Sequence, residues 1–130
     1  MAQRTLVDTH IAVWVASNAK RLSKSAKQVL SSSSEIFLST ISIAELELKG
    51  LALNNMYSGD YKNHFEKVGF EIVDFGVGAA TSLRRFGQLD GHDAFDRMIL
   101  AHAASLKVDL LTSDQVLTSL GLDWVIDAEA

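Results

Sequence analysis

The sequence predicts an α/β fold, a three-layer α/β/α sandwich with a central parallel sheet of five strands. Short apolar runs alternate along the chain with longer segments of helical periodicity, a pattern typical of βαβ units. The short runs are apolar at most positions, as expected for strands that helices cover on both faces. The 130 residues, 48% of them hydrophobic, suffice for one core, so we expect a single domain over residues 1–130.

The elements follow from the spacing of apolar side chains and from the residues that interrupt it. The predicted strands are residues 5–8, 35–39, 71–75, 109–112 and 122–126. The predicted helices are residues 10–17, 24–31, 40–53, 61–68, 76–86 and 92–107, with a short helix or turn at 114–119. The predicted loops are the four serines at 31–34, the polar stretch 54–60 and the segment 87–91, which has a glycine at each end.

Two of these helices carry further predictions. In the helix at 40–53, the side chains of Ile41, Ala44, Leu48 and Leu51 form one stripe, which we expect to face the core. The helix at 92–107 is apolar around much of its circumference and is expected to be largely buried. Ser23 is a candidate N-cap for the helix at 24–31.

The composition excludes several classes of protein. Cysteine is absent, so neither a disulfide framework nor a thiolate metal site is possible. The N-terminus does not resemble a signal peptide, and no apolar run approaches the ~20 residues that span a bilayer. A soluble, cytoplasmic protein is therefore expected.

The charge distribution bears on nucleic acid as a partner. A formal net charge of −4 argues mildly against it, because nucleic-acid binding depends largely on lysine and arginine. Basic residues do cluster at two places, Lys20, Arg21, Lys24 and Lys27, and Arg84 and Arg85. These clusters are either a local substrate-binding face or ordinary solvated helix surface.

Acidic residues near strand ends are the first candidates for a site, because sites of open parallel sheets lie beyond the carboxyl ends of the strands. Asp8 ends the first predicted strand, and Asp114 follows the fourth. Asp109 begins the fourth strand, so it is expected at the opposite edge. Asp74 lies near the end of the third strand, but a structural role at an edge or in a loop is favoured for it.

The helix at 92–107 contributes two more acids, Asp93 and Asp96, which share a face near its start. Asp93 is explained by helix capping. Asp96 lies further into a helix that is expected to be buried, where an ionised carboxylate without a partner is costly. A metal ion would supply that partner.

Glu45 has both a structural and a functional interpretation. Ser42 and Glu45 match a capping box, and Glu45 and Lys49 match an i,i+4 ion pair, so a structural role is favoured for Glu45 taken alone. Thr9 and Thr112 lie beside the candidate acids and either cap helices or orient a metal-bound water. His10, His64, His92 and His102 show no zinc-type spacing, and His102 is interpreted as a packed helix residue.

Four segments occur together in an order that resembles a known family: LVDTHIAVW, STISIAELELKG, HDAFDRMILAHA and LLTSD. Over nearly the whole chain, the sequence resembles a PIN domain of the VapC type, the toxin half of bacterial toxin–antitoxin pairs. The resemblance implies a sheet order of 3-2-1-4-5 and an endoribonuclease that depends on Mg²⁺ or Mn²⁺. It implies products with 5′-phosphate and 3′-hydroxyl ends.

The resemblance also assigns roles to residues. The catalytic residues are Asp8, Glu45, Asp96 and Asp114, the metal ligands among them are Asp8, Asp96 and Asp114, and the supporting residues are Thr9, Asp93, Arg97 and Thr112. Ala94 stands where proline is usual in this subgroup, a departure that affects helix entry more than chemistry.

The resemblance further implies partners: an RNA substrate, a homodimer, and a cognate antitoxin in a heterotetramer or larger assembly. The C-terminal segment of the antitoxin would lie in the active groove. Trp14 and Leu46 either line this groove or belong to the core, and the core is favoured.

Carboxylates that converge without a cation repel one another. Two unit charges 4 Å apart repel by roughly 4 kcal/mol at an effective dielectric constant of 20. The hypothesis of a shared metal site therefore predicts a raised pKa for at least one of these carboxyl groups when no metal is bound.

Two alternatives remain open at this point. A receiver-type phosphoacceptor domain also uses acids at strand ends and Mg²⁺, but it normally has paired acids after the first strand and a lysine after the fifth, which this sequence lacks. A non-catalytic PIN-like RNA-binding module would be expected to have lost members of the acid set.

Overall fold

Five parallel strands form the centre of the molecule in a computed structural model that describes residues 3–17, 19–49 and 60–130. The strands are β1 (Gln3–Val7), β2 (Ser33–Ser39), β3 (Glu71–Val73), β4 (Asp109–Thr112) and β5 (Val125–Asp127). They pair in the order β3-β2-β1-β4-β5, and every pair is parallel. The predicted fold class and strand order are confirmed.

Helices connect the strands and cover both faces of the sheet. They are α1 (Thr9–Ser17), α2 (Lys24–Ser32), α3 (Thr40–Lys49), α4 (Tyr61–Val68), α5 (Val77–Ser82), α6 (Ala94–Leu106) and α7 (Gln115–Thr118), with 3₁₀ helices at Ala19–Arg21 and Leu83–Leu89. Ser23 caps α2 as predicted, since its hydroxyl accepts the N–H of Ala26 at 3.0 Å. None of the helices in these ranges is long and apolar enough to cross a membrane.

Adjacent strand residues point into opposite halves of the core, as the twofold side-chain period of a strand requires. On one face, Val7, Leu38 and Leu111 pack with buried side chains of α1–α4, such as Ile11 and Phe65. On the other face, Leu6, Phe37 and Leu110 pack with α6, α7 and the second 3₁₀ helix. The predicted three-layer sandwich therefore has a hydrophobic core on each side of the sheet.

The loop predicted at the four serines 31–34 is wrong, because α2 continues to Ser32 and β2 begins at Ser33. The hydroxyls of Ser32 and Ser33 donate to the carbonyl of Val29 at 3.2 and 2.7 Å, and Ser34 donates to the carbonyl of Gln3 at 3.1 Å. Ser32 and Ser33 thus bond back to the last turn of α2, and Ser34 bonds across to β1.

The segment between β3 and α6 differs from the predicted helix at 76–86. The helix α5 ends at Ser82 and continues as the 3₁₀ helix Leu83–Leu89, with non-helical backbone angles at Phe86. The predicted loop at 87–91 is thereby shortened. The helix α6 begins at Ala94 rather than at residue 92, because the carboxylate of Asp93 caps the N–H of Phe95 at 2.8 Å.

The prediction of which face of α3 is buried is wrong. Leu48 is 75% exposed and Ala44 is exposed, whereas Ser42, Glu45 and Leu46 are buried. The face of α3 that meets the rest of the protein therefore carries a carboxylate. The predicted extension of this helix to residue 53, with Leu51, and the predicted turn up to residue 59 lie outside the described residues.

Candidate metal centre

The carboxyl edge of the sheet opens into a cavity of about 250 Å³. It is lined by Asp8, His10, Glu45, Lys49, Asp93, Asp96, Ser113 and Asp114. These residues come from the ends of β1 and β4, from α3 and from the start of α6. The four predicted catalytic acids thus meet in one place, whereas Asp109 lines a separate cavity at the opposite edge and Asp74 is exposed.

Asp8 forms the floor of the cavity and is only 2% exposed. Its Oδ1 accepts the N–H of Thr9 at 2.7 Å, and its Oδ2 accepts the hydroxyl of Thr112 at 2.6 Å. Burial raises the pKa of the Asp8 carboxyl group, an effect that these two hydrogen bonds partly offset. The carboxylate is therefore held in one orientation at a site that disfavours its charge.

The two predicted supporting threonines orient protein groups. The hydroxyl of Thr112 also accepts the N–H of Asp114 at 3.0 Å, so a single hydroxyl links Asp8 to Asp114. Oδ1 of Asp114 in turn accepts the N–H of Leu117 at 3.0 Å and caps α7. The hydroxyl of Thr9 donates to Ser42 at 2.8 Å and ties α1 to α3.

Asp96 and Asp114 converge with a histidine that the sequence analysis did not assign to the site. Nε2 of His92 lies 3.3 Å from Oδ2 of Asp96 and 3.4 Å from Oδ2 of Asp114. One ligand atom from each residue lies within 4.8 Å of the others, a spacing suited to one shared ion. Two ligand atoms that each lie about 2.2 Å from an ion, at right angles to one another, are about 3.1 Å apart. The distances from His92 to the two carboxylates are close to this value. The i,i+4 spacing of His92 and Asp96 was the signal available in the sequence.

The pKa of Asp96 is raised to about 8, chiefly by burial and then by the charges of Asp8 and Asp114. The predicted raised pKa in the acidic cluster is confirmed. The metal-free cavity therefore favours a proton on Asp96, and a cation that replaced it would relieve the same repulsion.

Glu45 carries a polar atom that none of the described residues satisfies. The residue is 5% exposed, and its Oε1 is buried with no hydrogen-bond partner among residues 3–17, 19–49 and 60–130, while Oε2 lies 3.7 Å from Nζ of Lys49. The capping-box interpretation is wrong, because Ser39 caps α3 at the N–H of Ile41. A buried oxygen without a partner costs about 1–3 kcal/mol, which an ion or an ordered water in the cavity would recover.

Asp93 is engaged in structure, as the capping interpretation predicted. Its Oδ1 caps α6, and its Oδ2 accepts the ammonium of Lys49 at 3.0 Å. Although partial burial disfavours ionisation, the hydrogen bonds from Lys49 and the N–H of Phe95 lower the pKa of Asp93. The carboxylate is therefore ionised and already neutralised by a neighbouring cation.

Other predicted residues lie outside this cavity. The guanidinium of Arg97 binds Asp90 at 2.6 Å and the carbonyl of Leu83 at 2.9 Å, so it fastens the 3₁₀ helix to α6. The predicted basic clusters, Lys20, Arg21, Lys24 and Lys27, and Arg84 and Arg85, are exposed. Trp14 and Leu46 are buried in the core, and so is His102, whose Nδ1 lies 2.8 Å from the hydroxyl of Ser39.

The donor set fits a hard divalent cation. Carboxylate oxygens suit Mg²⁺ and Mn²⁺, and the imidazole of His92 adds a nitrogen ligand that Mn²⁺ tolerates better than Mg²⁺ does. The receiver alternative is wrong, because receiver domains have the sheet order 2-1-3-4-5. Fold and cavity together define a class of α/β/α protein with a cluster of carboxylates beyond the carboxyl edge of a parallel sheet ordered 3-2-1-4-5.

Comparison with known proteins gives this class a name. The model of the PIN domain family matches residues 5–121, which is most of the sequence. The chain belongs to the PIN domain family, and the resemblance found in the sequence is confirmed at that level. Comparison with curated proteins gave no match.

Three solved structures show the same fold. VapBC2 from Rickettsia felis, bound to a DNA fragment from its promoter, is 18% identical, with coverage of 95% of this chain and 96% of that chain and a TM-score of 0.64. DNA-bound VapBC from Salmonella typhimurium is 18% identical, with coverage of 96% and 100% and a TM-score of 0.63. A toxin–antitoxin complex from Klebsiella pneumoniae is 19% identical, with coverage of 95% and 97% and a TM-score of 0.66.

Proposed function

We propose that this chain is a divalent-metal-dependent endoribonuclease that acts as the toxin of a toxin–antitoxin pair. The observation that carries the proposal is the convergence of Asp8, Glu45, Asp96 and Asp114, from four separate elements, on one cavity. Membership of the PIN domain family supports a nuclease. The structural likeness to VapBC complexes supports the toxin assignment.

In this proposal, Asp8, Asp96 and Asp114 bind Mg²⁺ or Mn²⁺. A bound divalent ion supplies acidity to a coordinated water and offsets charge on the phosphate and the leaving 3′ oxygen. Thr112 fixes the relative position of Asp8 and Asp114 through its one hydroxyl. The site is thus organised before the ion arrives, which lowers the cost of binding it.

Glu45 has a separate role in the proposal. Its unpartnered Oε1 is buried at the wall of the cavity, where it would orient the attacking water and accept its proton. The proton passes from the water to Glu45 as the new bond to phosphorus forms and the bond to the 3′ oxygen breaks, and the leaving 3′ oxygen takes a proton from solvent. The products are then a 5′-phosphate and a 3′-hydroxyl, as the family resemblance implies.

RNA is the proposed substrate, and its preference over DNA must come from binding, since this chemistry needs no 2′-hydroxyl. The net charge of −4 makes the cations at the site and the exposed basic clusters the sources of attraction for a polyanion. We expect cleavage to weaken as salt concentration rises, because phosphate contacts are screened.

Cleavage of 5′-labelled RNA tests the activity. We expect the wild type to cut in millimolar Mn²⁺ or Mg²⁺ and to stop when a chelator removes the ion. Asp8→Asn and Glu45→Gln should each lower the rate at least about 100-fold. Asp74→Asn, which alters an exposed acid that does not line the cavity, is the matched control and should cut like the wild type.

Two results would contradict the proposal. Equal cleavage by wild type and Asp8→Asn would show that the activity does not come from this cavity. No cleavage of any RNA by folded, metal-loaded wild type would favour the non-catalytic binding module instead. Sequencing of RNA ends after brief induction in a bacterial host would identify the cut sites.

The toxin assignment is tested in cells. Induction of the wild type should arrest growth, and induction of Asp8→Asn to the same level should not. Co-expression of a cognate antitoxin should restore growth. Arrest by the Asp8→Asn variant would separate toxicity from nuclease activity and contradict the assignment.

A further inference from the structure

The acids of the cavity fall into two groups that differ in their counter-charges. Asp8, Asp96 and Asp114 meet no lysine or arginine in any ion pair among the described residues. Glu45 and Asp93 share the ammonium of Lys49. Among the described residues that line the cavity, Lys49 is the only lysine or arginine.

Lys49 is held from two helices. Its Nζ lies 3.0 Å from Oδ2 of Asp93 at the start of α6 and 3.7 Å from Oε2 of Glu45 on its own helix. It also lies 4.8 Å from the centre of the Phe95 ring, a distance at which a cation is attracted to the π face. These contacts set the position of the side chain beside the cavity. The side chain is 37% exposed, so solvent still reaches it.

Metal nucleases that use two ions place them about 3.5–4 Å apart and need carboxylates for both. Here the acids left for a second ion would be Glu45 and Asp93. Oδ2 of Asp93 accepts the ammonium of Lys49 at 3.0 Å, and Oε2 of Glu45 lies 3.7 Å from the same ammonium. A divalent ion placed on these two carboxylates would be repelled by the ammonium that they share.

We propose that Lys49 takes the place of a second divalent ion, so that the cavity holds one ion, on Asp8, Asp96 and Asp114, beside one fixed ammonium. This inference rests on the proposed function, because it assumes that the first ion binds. An ammonium has three N–H donors, and two carboxylates face the one on Lys49. A remaining donor is then available to a phosphate oxygen of the substrate. Asp93 stays a helix cap and does not bind the metal.

Direct measurement of bound Mn²⁺ tests the inference. Titration followed by electron paramagnetic resonance of free Mn²⁺, at neutral pH, should give one ion per wild-type chain. Lys49→Met removes the charge and keeps most of the side-chain length, so a second ion should bind. Lys49→Arg keeps the charge and should stay at one ion. In the same samples, the Mn²⁺ dependence of cleavage should steepen from first order to second order in Lys49→Met alone.

Lys62→Met is the matched control, because Lys62 forms the same kind of i,i+4 pair, with Glu66 at 3.0 Å, on the exposed surface of α4. It should bind one ion, like the wild type. Two ions on the wild type would overturn the inference and leave the proposed function standing. One ion on Lys49→Met would overturn it as well. No ion on the wild type would overturn the proposed function together with the inference. Both of these wild-type results can be obtained even if the Lys49 variants fail to fold.

Discussion

At the scale of single residues, the carboxylates of the cavity differ because their surroundings differ. Asp93 is ionised beside Lys49, whereas Asp8 and Asp96 are buried among like charges, which raises their pKa values. The same residue type therefore serves as a helix cap at one position and as a candidate metal ligand three residues later.

Asp96 gives the metal-free protein a defined pH dependence. Its pKa is about 8 in the folded protein against 3.8 in the unfolded chain, so the folded state holds a proton that the unfolded state releases. The contribution of this group to stability is fully present below about pH 4 and is lost as the pH rises to about 8. Asp96→Asn should make stability fall less steeply over this range. A smaller slope should remain in the variant, because the pKa of Asp8 is also raised.

Urea unfolding in the presence of a chelator, from pH 5 to pH 9, measures this effect. Asp96→Asn should be more stable than the wild type at the alkaline end. Asp109→Asn, at the other edge of the sheet, should keep the wild-type slope. Because the pKa of the buried His102 is lowered and adds an opposite slope near the acidic end, the comparison between the two proteins is decisive. Equal slopes for the wild type and Asp96→Asn would show that Asp96 is not held protonated.

His92 gives a prediction about metal preference. Its Nε2 is buried, makes no hydrogen bond of good geometry with any residue that the structure describes, and faces the oxygens of Asp96 and Asp114. His92→Ala should therefore weaken Mn²⁺ binding more than Mg²⁺ binding, because Mg²⁺ depends more strictly on oxygen ligands.

Competition calorimetry with the two ions gives the ratio of affinities. His10→Ala is the control, since His10 lines the cavity but lies outside the converging ligand group. Equal losses for both ions in His92→Ala would indicate that His92 acts on the metal only through its neighbours.

At the scale of elements, α3 shows how packing overrides the pattern of hydrophobicity. Leu46 is 1% exposed in the core, whereas Leu48 on the same helix is 75% exposed. Thr9 holds the buried Ser42 of α3 through a hydroxyl hydrogen bond, and Glu45 faces the cavity on the same side. The orientation of the helix thus brings a carboxylate to the site and leaves a leucine outside.

Two leucine variants test this orientation. Leu46→Ala should lower the free energy of unfolding by about 2–5 kcal/mol, because it leaves a cavity in the core. Leu48→Gln should change it by no more than about 0.5 kcal/mol. Urea unfolding of both variants measures the difference, and a large loss in Leu48→Gln would mean that the other face of α3 is buried.

At the scale of the whole molecule, the candidate metal centre joins elements that are far apart in the chain. Asp8 follows β1, Glu45 lies on α3, Asp96 on α6 and Asp114 follows β4. An ion bound by these residues is absent from the unfolded chain, so its binding free energy adds to the stability of the folded state.

Mn²⁺ at 100 times its dissociation constant should therefore stabilise the wild type by about 2.7 kcal/mol. The melting temperature should rise by several degrees, and Asp8→Asn should lose most of this gain. Asp74→Asn should keep it. A wild-type melting curve unchanged by millimolar Mn²⁺ would contradict the metal centre, whatever the activity assays show.

The sequence alone determined the fold class, the order of strands and helices along the chain, and the edge of the sheet at which Asp8 and Asp114 lie. The elements follow from the periodicity of neighbouring residues, and the edge follows from the common direction of parallel strands. The resemblance to the PIN family added the order of the strands within the sheet. It also gave Glu45 a catalytic role where capping had favoured a structural one, and it agreed with the metal-binding role that burial had suggested for Asp96.

Only the tertiary structure decided which charges from different segments meet. That Lys49 reaches Asp93 as well as Glu45, and that Asp114 joins His92 and Asp96, depends on contacts between distant segments. Desolvation and charge–charge energies arise from these contacts and have no counterpart in the local sequence pattern. The orientation of α3 likewise depends on the partners available to its buried polar groups, which hydropathy along the chain does not describe.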